Sequence, residues 1–158
     1  SKTKGTIAGE AATFFLLANE PSATDYAKLD GLHTFYKPDG TDEIEKQINS
    51  FLEKQHISID DIDLIITGKN GDSGEDEVYE LLSKTIFAGK ENINYKYLCG
   101  EYPTAAAFAM WLGATIVKSG RVPETVGFTD SPEKKIKKVL VYNHYQGVHH
   151  SLTLLSAC

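Results

Sequence analysis

Residues Ile62–Asp76 read IDLIITGKNGDSGED. Six residues, Ile62–Thr67, are mostly apolar, with Leu64, Ile65 and Ile66 consecutive. That is the pattern of a strand buried on both faces, and it is too short for a helix. The segment Gly68–Gly74 is polar and glycine-rich, hence a loop. Ser73, with Asp76 three residues on, has the spacing of a capping box. Val78, Leu81, Leu82 and Ile86 then follow at helical spacing. The stretch is therefore a strand, a tight loop and a helix, which is the repeating unit of a layered α/β domain.

Upstream, Thr41 reads as an N-cap, with Asp42 and Glu43 in the first turn where the helix dipole favours anions. Ile44, Ile48, Phe51 and Leu52 make residues 42–55 an amphipathic helix. Leu29–Tyr36 is a strand candidate with Leu32, Thr34 and Tyr36 on alternate positions. Asn19–Ala23, with Pro21 and Ser22, is a turn. Ala11–Leu17, AATFFLL, reads as a further strand buried on both faces, and Gly5 and Gly9 before it mark a tight loop.

Downstream, Ile93–Tyr97 is short and strand-like. Pro103 fits the opening of a helix, Thr104–Lys118, that is apolar almost all round and should be central; Gly120 stops it. Val122–Lys137 is a long connection. Val139–Tyr142 and Ser151–Leu155 are two apolar strands separated by the loop His144–His150. The order β, β, α, β, α, β, α, β, β predicts an α/β domain with a mixed sheet of roughly five strands and helices on its faces.

The chain has 158 residues, the size of one domain over 1–158. With 41% hydrophobic and 24% charged residues it has the composition of a folded globular protein. A net charge of −6 without a Lys/Arg stripe argues against nucleic-acid binding. The longest apolar run, Ala105–Leu112, is too short to cross a membrane. No secretory signal is present, and Cys99 and Cys158 make no disulfide framework, so the cytoplasm is the expected location. The only methionine is Met110 and the chain opens at Ser1, so the sequence is expected to be part of something longer.

Three stretches, in this order, resemble the C-terminal half of β-ketoacyl synthases, the condensing enzymes of the thiolase-like superfamily. Gly5-Thr-Ile-Ala-Gly9-Glu10-Ala11-Ala12 resembles the family's G-x-x-x-G-E-G-A entry into a core strand. Ile62–Asp76 is similar to I-D-x-I-x-x-H-G-T-x-T-x-x-x-D. Lys96-Tyr-Leu-Cys99-Gly100-Glu101-Tyr-Pro-Thr-Ala105-Ala106 resembles K-x-x-x-G-H-x-x-G-A-A at the head of the buried helix. The ending VLVYNHYQGVHHSLTLL is a looser match to the two closing strands and their N-S-F-G-F-G-G loop, about two residues short.

The resemblance implies a cysteine nucleophile in a separate N-terminal half, and two histidines here that hold a developing enolate by N–H donation. This sequence departs at both histidines. Gly68 stands at the first position and Glu101 at the second. An ionised carboxylate donates nothing, and its charge opposes an enolate. Ala11 replaces the third-position glycine of G-E-G-A. Lys96 and Asp76 match the family's lysine and acidic positions. Met110 stands where a carboxylate pairs that lysine, and Glu101 is its expected substitute partner. The aromatic-glycine gate of the last loop is unrecognisable, with Tyr145 at best a remnant.

Lys96, Glu101 and Asp76 are thus the candidate catalytic residues by carry-over, or else a structural ion pair and a cap. Asn70 and Asp72 have calcium-loop spacing without the terminal Glu, which favours a solvated loop. His144, His149 and His150 could supply a zinc ligand or replace a lost histidine. His149 and His150 are adjacent, however, so they point to opposite faces of extended chain. Cys99 is either a reactive thiol or a small buried residue. No cofactor and no metal is expected.

Three functions follow from the resemblance. The first is an active β-ketoacyl-acyl-carrier-protein synthase of fatty-acid or polyketide-type biosynthesis, inactive as this half alone. The second is a non-catalytic partner subunit like the chain-length-determining subunits. The third is a diverged structural or binding module. The implied partners are acyl carrier protein and a catalytic synthase subunit or the missing N-terminal half, with a homodimer possible. The missing histidines favour the second over the first. An apolar patch, or self-association, is expected on the face that the other half would cover.

Overall fold

The computed structural model describes residues 5–126 and 135–158. Five strands form one mixed sheet: β1 (Lys28–Tyr36), β2 (Leu64–Thr67), β3 (Asn92–Asn94), β4 (Lys138–Tyr145) and β5 (His149–Ser156). Their spatial order is β1-β5-β4-β2-β3. β2 runs parallel to both β3 and β4, whereas β5 is antiparallel to β1 and β4. Four helices complete the fold: α1 (Gly40–Lys54), α2 (Glu77–Leu82), α3 (Lys96–Cys99) and α4 (Ala105–Ser119).

Alternate residues of the central strands feed two cores. Leu64, Ile66, Val139, Val141 and Leu155 face α4, against Ala105, Ala109, Leu112 and Ile116. Ile65, Leu140, Tyr142, Leu152 and Leu154 face α1 and α2, against Ile44, Ile48, Phe51, Tyr79 and Leu82. A strand covered on both sides has no reason to alternate polar and apolar, which is why Leu64–Thr67 and the middle of β4 read as continuous apolar runs. Each fully buried Leu or Ile contributes about 2 kcal/mol of transfer free energy, so this layering is the main source of stability. Gly113 lets α4 lie close to the sheet, for a Cβ there would stand 2.9 Å from Leu155 Cδ1. Gly120 ends α4 in the left-handed conformation at φ 71°, as its position after the apolar run predicts.

Several expectations are corrected. Ala11–Leu17 is not a strand: Phe14 is 93% exposed and Leu16 fully so. Apolar composition states a preference for cover, but a strand also needs a hydrogen-bonding neighbour, and among the described residues none lies beside this segment. Ile93–Tyr97 is strand only as far as Asn94, because the backbone turns into α3 at Lys96. The loop predicted for 144–150 shrinks to Gln146–Val148. β4 and β5 form a continuous ladder out to Tyr145↔His149, closed by Gln146 and Gly147 at positive φ. Thr41 is not the N-cap, since α1 begins at Gly40 and the free amide of Asp39 is taken by the Glu43 carboxylate. α2 is one and a half turns, shorter than the pattern through Ile86 implies, because turns replace helix after Leu82. The middle of the Val122–Lys137 connection lies outside the described residues.

Candidate functional site

The three motif segments, far apart in sequence, meet at one end of the sheet. β2 delivers Gly68 to the edge of the core, and the chain then winds through 69–76. Asp72 Oδ1 accepts from the Gly74 and Glu75 amides at 2.8 and 3.2 Å, so Asp72 caps this turn in place of Ser73. Asp76 reaches backwards, its carboxylate accepting from the Asn70 and Gly71 amides at 2.9 and 3.1 Å. Segment 5–9 lies on the other side. Thr6 Oγ1 donates to Asn70 O at 3.0 Å, the Glu101 amide donates to Ile7 O at 2.8 Å, and the Gly9 amide donates to Glu101 O at 3.1 Å. The approach at Gly9 is so close that a Cβ would fall 1.9 Å from Cys99 O. That contact gives the second glycine of the 5–12 motif its physical reason.

Lys96 sits at the opening of α3 with its side chain 3% exposed. Its Nζ donates to Glu101 Oε2 at 2.6 Å. Glu101 thus supplies the counter-charge that the buried helix lacks at Met110. Asn70 completes the arrangement: its Nδ2 donates both to Glu75 Oε2 at 2.7 Å and to Glu101 Oε2 at 3.0 Å. The bend 96–101 and the loop 68–76 therefore face each other across a direct bond. Sequence reasoning saw Asn70 only as a loop or calcium-loop residue and missed this bridging role. Nothing in its neighbours identifies a contact made 31 positions away. Among the described residues no cluster of His, Cys, Asp and Glu is arranged to hold a metal ion.

At Gly68 there is no room for a side chain. A Cβ would lie 2.1 Å from Asn143 Oδ1 and 2.7 Å from the Tyr79 hydroxyl. Asn143 Oδ1 also accepts from the hydroxyl of Tyr95 at 2.9 Å. Burial drives the Tyr95 phenol well above its ordinary pKa, so it is a standing donor.

The histidines divide between the two faces of the sheet. His144 stacks on Tyr79 at 4.7 Å between centroids, in the layer beneath α2. The Gly147 amide donates to its Nδ1 at 3.1 Å, so its proton sits on Nε2, 2.9 Å from Glu75 O. Both ring nitrogens are committed, and desolvation pushes its pKa down to about 4. His150 lies in the same layer with Nδ1 2.9 Å from the Tyr142 hydroxyl, and burial lowers its pKa too. His149 is on the opposite, exposed side. His144 therefore has no ring nitrogen left to donate elsewhere. Burial raises the pKa of the Cys99 thiol, which removes the argument for a reactive cysteine. A groove of about 470 Å³ opens between the head of α4, at Pro103 and Ala106, and the strand ends carrying Asn143, Ser151 and His149.

The fold recurs in solved structures. A chain of the complex of a ketosynthase with its chain length factor from Xenorhabdus doucetiae superposes with a TM-score of 0.72 at 19% identity, over 88% of this chain and 40% of that one. The fold is that of a β-ketoacyl-synthase half. The ishigamide ketosynthase/chain length factor gives 0.69 at 13% identity over 84% of this chain and 38% of that one. A β-ketoacyl synthase of Burkholderia phymatum gives 0.64 at 15%, over 86% and 38%. This chain thus spans about two fifths of the length of these ketosynthase-type chains. No family model and no curated protein matches the sequence. Among the described residues no helix is long and apolar enough to cross a membrane.

Proposed function

We propose that this chain is the C-terminal half of a ketosynthase-like protein, one domain over residues 1–158, that has lost condensing chemistry. It serves as a non-catalytic partner of an active synthase in fatty-acid or polyketide-type assembly in the cytoplasm. The observation that carries this reading is the filled space at Gly68. The family's first histidine is not only absent; Asn143 and Tyr79 stand where its side chain would begin. At the second position Glu101 is locked to Lys96 and Asn70, an acceptor where the reaction needs a donor. In this reading Lys96, Glu101 and Asp76 keep the two bends in register and touch no reacting atom. Two of the structural relatives bear the name chain length factor in their own descriptions, which supports a partner role over that of a free-standing module.

The test is decarboxylation. Full-length protein is incubated with malonyl-acyl carrier protein, alone and with the ketosynthase of the same organism, and released CO2 is measured. Alone it should stay at the background rate, and with the ketosynthase the two should co-sediment. Turnover by this protein alone would overturn the reading, as would failure to bind any ketosynthase of its own organism.

A further inference from the structure

We propose that Asn70–Gly71 is a self-modifying site: the folded loop turns the Gly71 amide nitrogen onto the Asn70 side chain, closing a succinimide ring and releasing ammonia. The step needs no partner and no thioester, so it stands apart from the reading above. Asn70 is the only asparagine of the chain that is followed by glycine. A side chain at the following residue crowds ring closure, and glycine has none. Gly71 is exposed, lies at φ 93°, and has open space where a Cβ would point. Asn49, by contrast, precedes Ser50 inside α1, where the backbone is held in helical conformation.

The loop supplies a base and an oxyanion donor. Asp76 Oδ2 accepts from the Gly71 amide at 3.1 Å, which places the carboxylate to take that proton. Its Oδ1 accepts from the Asn70 amide at 2.9 Å, so the carboxylate is fixed against the peptide. An amide N–H lies in the peptide plane, whereas the electron pair that attacks stands perpendicular to it, so the base leaves the approach open. Charge in the tetrahedral intermediate develops on Asn70 Oδ1, and the Asp72 amide already donates to that oxygen at 2.9 Å. A donor preset where charge grows stabilises the transition state more than the ground state. The bond from Gly71 N to Asn70 Cγ forms and the Cγ–Nδ2 bond breaks. The Gly71 proton, carried by Asp76, leaves with ammonia. Water then opens the ring to an aspartyl or isoaspartyl residue.

The product reverses the role of this position. Asn70 Nδ2 donates to Glu75 Oε2 at 2.7 Å and to Glu101 Oε2 at 3.0 Å. A carboxylate in its place donates nothing and repels both. The modification therefore unhooks the loop 68–76 from the bend 96–101 and frees the end of Lys96, whose side chain is 3% exposed.

Full-length protein is held at neutral pH, folded in buffer and unfolded in urea. Samples are digested at mildly acidic pH, and the peptide carrying Gly71 is followed by mass spectrometry. Loss of the mass of ammonia at Asn70, followed by gain of the mass of water, should run at least about tenfold faster in the folded protein, a modest share of what a positioned base contributes. Asn49 and Asn143 should stay unconverted in the folded protein. Asp76→Asn, of the same shape without the charge, should lower the folded rate about tenfold. The comparison of folded with unfolded chain uses no variant, so it decides the matter even if that variant folds poorly. Lys96 should acetylate with acetic anhydride faster in converted than in fresh protein. A folded rate equal to or below the rate in urea overturns the proposal, as does an unchanged rate in folded Asp76→Asn. Equal acetylation of Lys96 before and after conversion overturns the unhooking.

Discussion

His144 shows how much one side chain can carry. Its neutral ring accepts from the β4–β5 turn at Gly147 and donates to the backbone of Glu75, whose carboxylate in turn holds Asn70 and, through it, Glu101. Protonating Nδ1 would set an N–H against the Gly147 N–H. The folded pKa of about 4 lies below the ordinary 6.5, so the unfolded chain takes up the proton first. The stabilisation is complete above pH 6.5, falls as pH drops toward 4, and levels off below it as far as this residue is concerned. The difference corresponds to roughly 3 kcal/mol, with His150 acting in the same direction. Urea denaturation at pH 7.5 and 4.5 should show that loss. His144→Gln should be less stable at pH 7.5 and should show a flatter dependence on pH. An unchanged slope would mean that the loss comes from other groups. The legibility of this residue in sequence was poor. A histidine in the final loop suggests ligation, whereas the ladder extends to Tyr145 and turns the ring into the core.

The short segment at residues 5–9 illustrates the middle level. It has little secondary structure of its own, only an isolated parallel bridge from Ala8 to Glu101. It holds because two glycine backbones, Gly9 and Gly100, lie against each other without side chains. Gly9→Ala should force them apart at a local cost of about 1–3 kcal/mol, the usual penalty of overpacking. Hydrogen exchange at the Gly9 and Glu101 amides should accelerate at least tenfold while exchange in β4 and β5 stays unchanged. Equal acceleration everywhere would mean that the segment is integral to global stability. The helix α4 and the strands β2, β4 and β5 were legible because apolar patterning and length specify them locally. The extent of α2 and the break at Lys96 were not, because both depend on where neighbouring elements stop the chain.

Over the molecule as a whole, apolar surface remains uncovered. Phe14 and Leu16 lie open to solvent, Trp111 on α4 is 44% exposed, and Leu32 and Tyr36 face outward from the edge strand β1. Apolar exposure on this scale favours association. Sedimentation velocity should therefore show self-association at micromolar concentration. Phe14→Ser with Leu16→Ser should reduce it while moving the unfolding free energy by less than about 0.5 kcal/mol, since neither side chain packs against the core. A monodisperse monomer before the substitutions would count against this, and so would a large loss of stability after them. The expectation of an apolar patch came from the resemblance. The exposure of Phe14–Leu17 was not expected, for the same residues read as a buried strand.

The amino-acid order alone determined the α/β alternation, the central apolar helix, its glycine stop and the presence of Gly68 and Glu101 where the resemblance expects histidines, because each is written in local spacing or in the identity of a single residue. Only the folded chain decided what occupies the space at Gly68, that Asn70 joins Glu101 beside Lys96, and that His144 and His150 take the core side while His149 takes the exposed one. Those outcomes depend on contacts between segments tens of residues apart, such as Asn143 over Gly68 and Asn70 against Glu101. They are set by where the sheet brings its strand ends together, which no local pattern encodes.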